Sequence, residues 1–357
     1  MNDETDQDLL KAFSFLLFSK LEGAVTAAMV HLGYRLGLYD SMAGQGQITS
    51  AALATRTGLS ERWVREWLRN QAAARLIESA DGDLFRLTPE AVAVLTEPDH
   101  PAYGMGMFSR LPATMRLLDD LPRSFATGLG YNYDHQGPDA AAGIERGFAP
   151  WFKNFLVPVG LPALDGVTAR LEAGGRVADV GCGAGVAVLT MAAAYPQSEF
   201  HGYDISQYAL ERAEEKRSAA GATNVCFHDA RTDPLPTDAS LDLVTTFDCI
   251  HDMTHPERVI GAIRQALRPD GVWLLVDIKA RESFAENVQK NPMAAMMYGI
   301  SVLTCMASAL SEPDGAGLGT LGLPPSKAES MARQAGFTRF RRLSIDHPIN
   351  AFYEVRP

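Results

Sequence analysis

The sequence predicts an α/β fold with a parallel sheet, preceded by a smaller and mainly α-helical domain. From residue 175 onward, short apolar runs alternate with longer amphipathic segments, which is the pattern of strand–helix units. Before that point, apolar residues recur at helical spacing and a short hairpin pattern follows them. A chain of 357 residues is also long enough for two domains.

The composition is that of a soluble globular protein, with 46% hydrophobic and 21% charged residues. The formal net charge of -11 argues against nucleic acid as the main partner, because phosphates need a basic surface. The four cysteines form no CxxC pair, which indicates a reducing compartment. The acidic start, "MNDETDQD", is unlike the basic region of a signal peptide, so we expect a cytoplasmic protein.

Two apolar stretches are long enough to be considered as membrane spans. Residues 12–34 are interrupted by Lys20 and Glu22, and we predict that they form a buried helix. Residues 291–311 carry no charge, but they contain Pro292 and several Ser and Thr residues inside a soluble pattern. We therefore expect no membrane segment, with a span over residues 291–311 as the alternative.

Residues 49–86 have the pattern of a winged helix. Thr49 or Ser50 can cap a first helix, Gly58 makes a turn, and Ser60 can cap a second helix. The second helix carries the apolar residues Trp63, Val64, Trp67 and Leu68. Two short strand patterns follow around a turn at residues 81–83.

A winged helix raises the question of DNA binding. Arg62, Arg65 and Arg69 share one face of the second helix. However, residues 1–100 hold nine Lys and Arg against fourteen Asp and Glu, a balance of 9 − 14 = −5. An arginine face on an acidic domain is more typical of a solvated surface or of a surface that faces a protein partner.

The predicted organisation has three parts. Residues 1–100 form a helical and winged-helix domain, residues 101–144 a linker and substrate-side segment, and residues 145–357 the α/β domain. Near the start of the last part, a helical pattern carries the aromatic residues Phe148, Trp151 and Phe152.

A glycine-rich turn follows the first strand of the α/β domain. The pattern is Asp179-x-Gly181-x-Gly183-x-Gly185, and glycines there let backbone approach a ligand at the start of the next helix. The next strand ends in Asp204, which can accept both hydroxyls of a ribose. The third strand ends in Asp229 and Ala230, placed to meet an adenine edge. A nicotinamide cofactor is the alternative, but the spacing differs from GxGxxG.

These residues resemble the motifs of class I S-adenosylmethionine (SAM)-dependent methyltransferases. The resemblance implies a Rossmann-like, seven-stranded sheet whose last strand is antiparallel, with SAM as the cofactor and S-adenosylhomocysteine as the product. It implies that Asp179 and Gly181 hold the glycine loop and the methionine ammonium. The implied cofactor contacts are Asp179, Gly181, Gly183, Gly185, Asp204, Asp229, Ala230 and Phe247.

A winged helix joined to such a domain is similar to small-molecule O-methyltransferases of the plant phenol and antibiotic-biosynthesis type. In that family the winged helix is a dimerisation domain. The resemblance therefore implies a homodimer that acts on a small molecule.

The stretch "FDCIHDMTHPE", residues 247–257, follows the fourth strand. In the family a His-Asp-Trp triplet stands here, and its histidine removes the proton from the acceptor hydroxyl. His251 and Asp252 match the triplet, but Met253 replaces the tryptophan. Asp277, at the end of the fifth strand, matches the acidic residue that orients the histidine.

General-base chemistry suits a histidine, since its ordinary pKa is about 6.5 and an alcohol or phenol is a poor nucleophile until it is deprotonated. A loop without function is one alternative. A metal site at His251 and His255 is another, but Pro256 would make His255 a helix cap, and no third ligand is apparent in the sequence. We expect no metal.

The acceptor pocket is predicted from the charge-free stretch and from the aromatic helix. Met293, Met296, Met297 and Met306 offer an adaptable apolar surface, although packing alone could explain them. Together with Phe148, Trp151 and Phe152, they suggest an apolar or aromatic acceptor.

The predicted function is methyl transfer from SAM to a small hydroxylated molecule. The alternative is a SAM-sensing regulator whose winged helix binds DNA. The sequence leaves the acceptor open, and it also leaves open N- or C-methylation.

Overall fold

The computed structural model describes residues 5–357, and the chain divides into two compact units between Pro112 and Ala113. The predicted boundaries at residues 100 and 144 fall on either side of this point. Each unit has a buried apolar core of its own.

The first unit contains helices and a short antiparallel hairpin. Its elements are α1 (Gln7–Arg35), α2 (Leu38–Met42), α3 (Ser50–Thr57), α4 (Glu61–Ala73), β1 (Glu78–Ala80), β2 (Leu84–Arg86), α5 (Pro89–Thr96) and α6 (Met105–Arg116), whose last residues cross into the second unit. Thr49 caps α3, since its Oγ1 accepts a hydrogen bond from the Ala52 amide at 3.2 Å. Gly58 ends α3 with a φ of 70°. The predicted winged helix is confirmed.

The core of the first unit lies on one face of α4. Trp67 and Leu68 are buried there, and Trp63 on the opposite face is exposed. The indole nitrogen of Trp67 donates to the Met29 carbonyl of α1 at 2.9 Å, and its ring meets Tyr39 edge-on at 5.1 Å. These contacts fix the C-terminal end of α1 against α4.

The rest of α1 is exposed, so the prediction of a buried helix over residues 12–34 is wrong for the single chain. Its exposed apolar residues are Leu9, Leu10, Phe13, Phe15, Leu16, Leu17, Phe18, Leu21, Val25 and Leu32. Burial begins only at Val30. Apolar side chains project from every side of α1, and α4 can cover only one side of the helix. Among the described residues, α1 is the one helix whose length and composition would suit a membrane span.

The second unit begins with helices and continues as strand–helix units. Its elements are α7 (Leu121–Thr127), α8 (Pro138–Trp151), α9 (Val167–Glu172), β3 (Arg176–Val180), α10 (Val186–Ala194), β4 (Glu199–Asp204), α11 (Gln207–Ala220), β5 (Val225–Asp229), β6 (Leu241–Phe247), α12 (Pro256–Ala266), β7 (Leu267–Ile278), α13 (Phe284–Lys290), α14 (Ala294–Ile300), α15 (Met306–Ala309), α16 (Pro325–Gln334), β8 (Arg339–Arg342) and β9 (Asn350–Arg356). Wider π-helical turns continue α8 over Phe152–Gly160 and join α14 to α15 over Ser301–Cys305.

The strands form one seven-stranded sheet in the order β5-β4-β3-β6-β7-β9-β8. The strands from β5 to β7 are parallel, and β9 runs antiparallel to both of its neighbours. The predicted Rossmann-like sheet with an antiparallel last strand is confirmed. Adjacent residues of β3, such as Val177 and Ala178, enter different apolar clusters, so the sheet is covered on both faces.

Two predicted segments differ in detail from the structure. Pro269 and Gly271 predict that the helix after residue 255 ends there, but α12 ends at Ala266 and both residues lie inside β7. Both residues lie in the first part of β7, where the register with β6 shifts. The continuous pairing of β7 with β6 begins at Val272, opposite Leu243. Residues 291–311 form α14, the second π-helical turn and α15, within the second unit.

Two glycines of α1 provide a matched test of the packing against α4. A Cβ at Gly33 would lie 2.4 Å from Cζ2 of Trp67, whereas a Cβ at exposed Gly23 would meet no atom within 4 Å. Gly33→Ala should lower the free energy of unfolding by about 1–3 kcal/mol through overpacking. Gly23→Ala should raise it by about 0.8–1 kcal/mol, because alanine favours helix. Urea denaturation of both variants measures these changes, and equal effects would contradict the contact.

Candidate functional site

The residues predicted to carry function meet at the carboxyl ends of the parallel strands. β3 and β6 are neighbours at the centre of the sheet, and the order of the strands reverses between them. Ligands bind at such a reversal in open α/β sheets. The glycine turn follows β3, Asp204 ends β4, the His251 segment follows β6, and Asp277 lies near the end of β7.

The glycine turn requires glycine at each of its three positions. Gly181, Gly183 and Gly185 have φ values of 73°, 53° and 72°. A Cβ at Gly181 would lie 2.7 Å from the Cβ of Cys249, and one at Gly185 would lie 2.4 Å from the ring of Phe227. A Cβ at Gly183 would meet nothing within 4 Å. The backbone at Gly183 therefore faces open space, which fits the close approach of a ligand.

Asp179 lies beneath the glycine turn and is almost completely buried. The Thr245 hydroxyl on β6 donates to its Oδ1 at 2.6 Å. Burial raises the pKa of Asp179 to about 7, although the hydrogen bond from Thr245 opposes the rise. Its carboxyl group is thus held between β3 and β6, directly below the turn.

Asp204 fastens the glycine turn from β4. Its Oδ2 accepts from the Gly183 amide at 2.8 Å, and its Oδ1 accepts from the Ser206 amide at 2.8 Å. Burial raises its pKa, and the backbone hydrogen bonds oppose that rise. A carboxylate has about four acceptor positions, so about two remain for ribose hydroxyls. Asp204 and the open backbone at Gly183 together fit the nucleoside part of SAM.

The carboxylate of Asp229 is paired with Arg231, a contact that the sequence did not indicate. Arg231 contacts its carboxylate through Nε at 2.9 Å and Nη2 at 2.8 Å, and the Arg231 amide donates to it as well. These contacts lower the pKa of Asp229. The amide of Ala230 donates to the Asp204 carbonyl at 3.0 Å, which brings the predicted adenine residues beside Asp204.

His251 and Asp277 form a buried pair. The Nδ1 of His251 lies 2.6 Å from Oδ1 of Asp277, and both side chains are about 3% exposed. Burial alone would lower the pKa of His251, but Asp277 and Cys305 raise it well above its usual value. The carboxylate fixes the ring orientation and leaves Nε2 as the nitrogen that can meet an acceptor. The same Oδ1 also accepts from the Ile278 amide at 2.8 Å.

Asp252 lies beside this pair, and two residues that the sequence analysis missed surround it. The Tyr133 hydroxyl donates to Oδ2 of Asp252 at 2.7 Å, and it lies 3.9 Å from the sulfur of Cys305. Burial raises the pKa of Asp252 well above its usual value. Burial opposes ionisation of the Cys305 thiol as well, but His251 lowers its pKa to about 6.

The two histidines of "FDCIHDMTHPE" do not share a helix. His251 belongs to a single 3-10 turn, Ile250–Asp252, whereas His255 occupies the N-cap position of α12, as predicted. His255 faces Glu312, with Nε2 and Oε2 3.4 Å apart. The structure does not join the two histidines in one metal site. It instead brings Cys305 next to His251, which corrects the expectation that no third ligand is near.

The segment before α8 crosses the carboxyl edge of the sheet. The amides of Gly130 and Tyr131 donate to the carbonyls of Leu310 and Ala307 at 2.8 and 2.9 Å. Asp134 then accepts from the hydroxyl of Ser206 at 2.5 Å and from the Gln207 amide at 3.0 Å. We call residues 130–134 the strap. It connects the cofactor side of the site to the acceptor side, where Tyr133 reaches Asp252.

The predicted acceptor residues fall into two groups. Phe148, Trp151 and Phe152 pack in the sheet core, and Phe152 meets Phe247 edge-on at 4.9 Å. Met293 and Met297 belong to a separate small cluster with Ala280 and Leu321, whereas Met296 is 47% exposed. Packing within these clusters alone explains the burial of Phe152, Phe247 and Met297.

Comparison with known families assigns both units. Residues 171–336 match the family described as a methyltransferase domain, and residues 24–97 match the Rv2258c-like winged HTH domain. The chain therefore contains a methyltransferase domain and an N-terminal winged HTH domain. The winged helix of the first unit and the seven-stranded sheet of the second unit agree with this assignment.

Solved structures of other methyltransferases share this fold over nearly the whole chain. The mitomycin 7-O-methyltransferase MmcR is 20% identical, with a TM-score of 0.70 and coverage of 98% of this chain and 99% of that one. Human N-acetylserotonin methyltransferase, solved in complex with SAM, is 18% identical, with a TM-score of 0.67 and coverage of 100% and 99%. At these identities the likeness shows the fold.

Higher sequence identity is found with a curated relative over a shorter stretch of the chain. The uncharacterized methyltransferase YcgJ of Bacillus subtilis is 33% identical over 116 residues, which is 32% of this chain and 45% of YcgJ. The chain thus spans less than half of this relative.

The role of Asp204 in this methyltransferase can be tested by ligand affinity. Asp204→Ala removes the carboxylate that we propose as the acceptor for ribose hydroxyls, whose charge-assisted bonds are each worth about 1.5–3 kcal/mol. We expect the affinity for S-adenosylhomocysteine to fall by about tenfold or more in calorimetry. The exposed Asp238 provides the control, and Asp238→Ala should leave the affinity unchanged. A folded Asp204→Ala variant with full affinity would remove Asp204 from the site.

Proposed function

We propose that this protein transfers a methyl group from SAM to a hydroxyl group of a small molecule, with His251 as the general base. The observation that carries the proposal is the buried His251–Asp277 pair beside the glycine turn. The Cys249 thiol donates to the Val180 carbonyl at 3.1 Å, so the segment before His251 contacts the strand that enters the glycine turn. The acceptor and the cofactor would therefore meet at one edge of the sheet.

The chemistry needs proton removal and alignment. SAM, when bound, supplies an electrophilic methyl group. His251 would act in its neutral form, with Nε2 accepting the proton of the acceptor hydroxyl as that oxygen takes the methyl group and S-adenosylhomocysteine leaves. Asp277 stabilises the imidazolium that results, because its carboxylate lies 2.6 Å from Nδ1. Both side chains are buried, which strengthens this interaction.

Asp252 and Tyr133 are positioning residues in this scheme. The raised pKa of Asp252 favours its protonated form, in which the carboxyl group can donate a hydrogen bond as well as accept one from Tyr133. We infer that the two residues orient the acceptor, and that the strap keeps them in place.

We infer that the acceptor is apolar or aromatic. Phe148 and Trp151 are only partly buried against the sheet core, and exposed Met296 offers a flexible apolar side chain. Two structural relatives are named for small molecules, mitomycin and N-acetylserotonin.

His251→Ala tests the base directly. Turnover should fall by about 10²–10⁴-fold, while affinity for S-adenosylhomocysteine should stay unchanged, because His251 faces the acceptor. The loss should shrink for acceptors with a lower hydroxyl pKa, since these need less help to ionise. A screen of hydroxylated aromatic compounds with labelled SAM supplies the substrate for this measurement.

His255→Ala is the matched control, because His255 lies four residues away and faces Glu312. It should change neither turnover nor affinity, and chelators should not lower the activity. A fully active His251→Ala variant would show that transfer depends on alignment alone.

We further propose that the first unit serves as a homodimer interface. The support is the exposed apolar surface of α1, which is larger than a soluble monomer ordinarily leaves in water. Light scattering of the full-length protein should give a dimer at micromolar concentration. Phe15→Asp, at a side chain that is 78% exposed, should shift the protein toward monomer. A wild-type monomer at that concentration would contradict the proposal.

The regulator alternative receives no support from α4. Two of its arginines are neutralised within the helix, since Arg62 pairs with Glu66 at 2.5 Å and Arg65 with Glu61 at 2.6 Å. We therefore expect no DNA affinity that depends on SAM, which filter binding with genomic fragments would check.

A further inference from the structure

Cys305 lies in the site, but general-base catalysis gives it no task. It sits on the π-helical turn Ser301–Cys305 and is buried. Its sulfur, a ring nitrogen of His251 and a carboxylate oxygen of Asp252 all lie within 4.8 Å of one another. Nitrogen, oxygen and sulfur donors thus converge from two separate parts of the chain.

This donor set matches the requirements of a zinc-type ion. Such sites use three protein ligands and keep a fourth position open, with metal–ligand distances of about 2.0–2.3 Å. Two ligands of a tetrahedral ion are then about 3.6 Å apart, so the three donors would have to approach one another by about 1 Å at most. A thiolate ligand also selects zinc over magnesium or calcium.

The second layer of hydrogen bonds is the one that metal ligands usually have. The Nδ1 of His251 is bound to the Asp277 carboxylate at 2.6 Å, which leaves Nε2 as the donor to an ion. The Tyr133 hydroxyl holds Oδ2 of Asp252 at 2.7 Å, which leaves Oδ1. Two of the three ligands are therefore already oriented without an ion.

We propose that His251, Asp252 and Cys305 form a binding site for a zinc-class divalent ion, and that the bound ion inhibits methyl transfer. The inhibitory effect rests on the proposed role of His251, because an ion on Nε2 occupies the lone pair that would accept the acceptor's proton. When the ion binds, the protons held by the Cys305 thiol, the Asp252 carboxyl group and Nε2 of His251 are released to solvent.

Equilibrium dialysis of the full-length protein against zinc tests the binding. We expect one ion per chain that is bound at least about tenfold more tightly than by Cys305→Ser, a variant that keeps the size of the side chain. Cys226→Ser is the control, because Cys226 is an exposed thiol on β5. Equal zinc affinity in the wild type and in Cys305→Ser would overturn the proposal.

Cobalt substitution identifies the ligands in the wild-type protein itself. The result therefore does not depend on whether the Cys305→Ser variant folds. Cobalt(II) should give a sulfur-to-cobalt charge-transfer band together with the intense visible bands of a tetrahedral ion. His255→Ala and Cys226→Ser should retain this spectrum, and Asp252→Asn should weaken the binding. Wild-type protein that binds cobalt without the charge-transfer band would overturn the assignment of Cys305.

Turnover with added zinc separates this proposal from the proposed function. Zinc should inhibit, a chelator should restore the activity, and magnesium should have no effect. Zinc binding together with a fully active His251→Ala variant would overturn the base but keep the metal site. Absence of zinc binding together with an inactive His251→Ala variant would overturn the metal site and keep the base.

Discussion

The buried contact between His251 and Asp277 is the constraint on which the rest of the site depends. β6 and β7 are adjacent parallel strands, and Phe247 pairs with Val276, so the turn after β6 must lie beside the end of β7. Both side chains are removed from water, and each would be costly to bury without the other. The pairing of two strands thereby fixes the position and the orientation of the proposed base.

Two further carboxyl groups lie near His251 and Asp277, and each needs a hydrogen-bond donor. Asp252 is buried and Asp248 is partly buried close to Asp277, and burial raises the pKa of Asp248 to about 7, with a further contribution from Asp277. Asn350 from β9 donates to Asp248, and Tyr133 donates to Asp252. The adjacent antiparallel strand and the strap each supply one donor, so distant parts of the second unit complete the environment of His251.

The sequence predicts those parts of the site that local pattern controls. The glycine turn needs positive φ at three positions within five residues, so its motif is visible in the sequence. The neighbourhood of His251 and Asp277 also follows from the pattern, because ends of adjacent parallel strands meet at one edge. Tyr133 and Cys305 could not be predicted, because each is far along the chain from the residue that it contacts. Tyr133 lies 119 residues before Asp252, in an irregular segment. Cys305 lies 54 residues after His251, on a π-helical turn. The exposure of α1 was missed because an apolar helix looks the same whether its partner is its own chain or another.

The strap connects the cofactor side and the acceptor side of the site through two consecutive residues. Tyr133 and Asp134 are consecutive residues, yet one holds Asp252 on the acceptor side and the other holds Ser206 and Gln207 on the cofactor side. Gly130 lets the strap approach the helix behind it, since a Cβ there would lie 1.9 Å from the Ala307 carbonyl oxygen. Asp204 binds the amide of Ser206, so a change at the ribose position reaches Asp134 through one residue. Hydrogen bonds and the peptide link between Tyr133 and Asp134 therefore join Asp204 to Tyr133 and to the carboxyl group of Asp252.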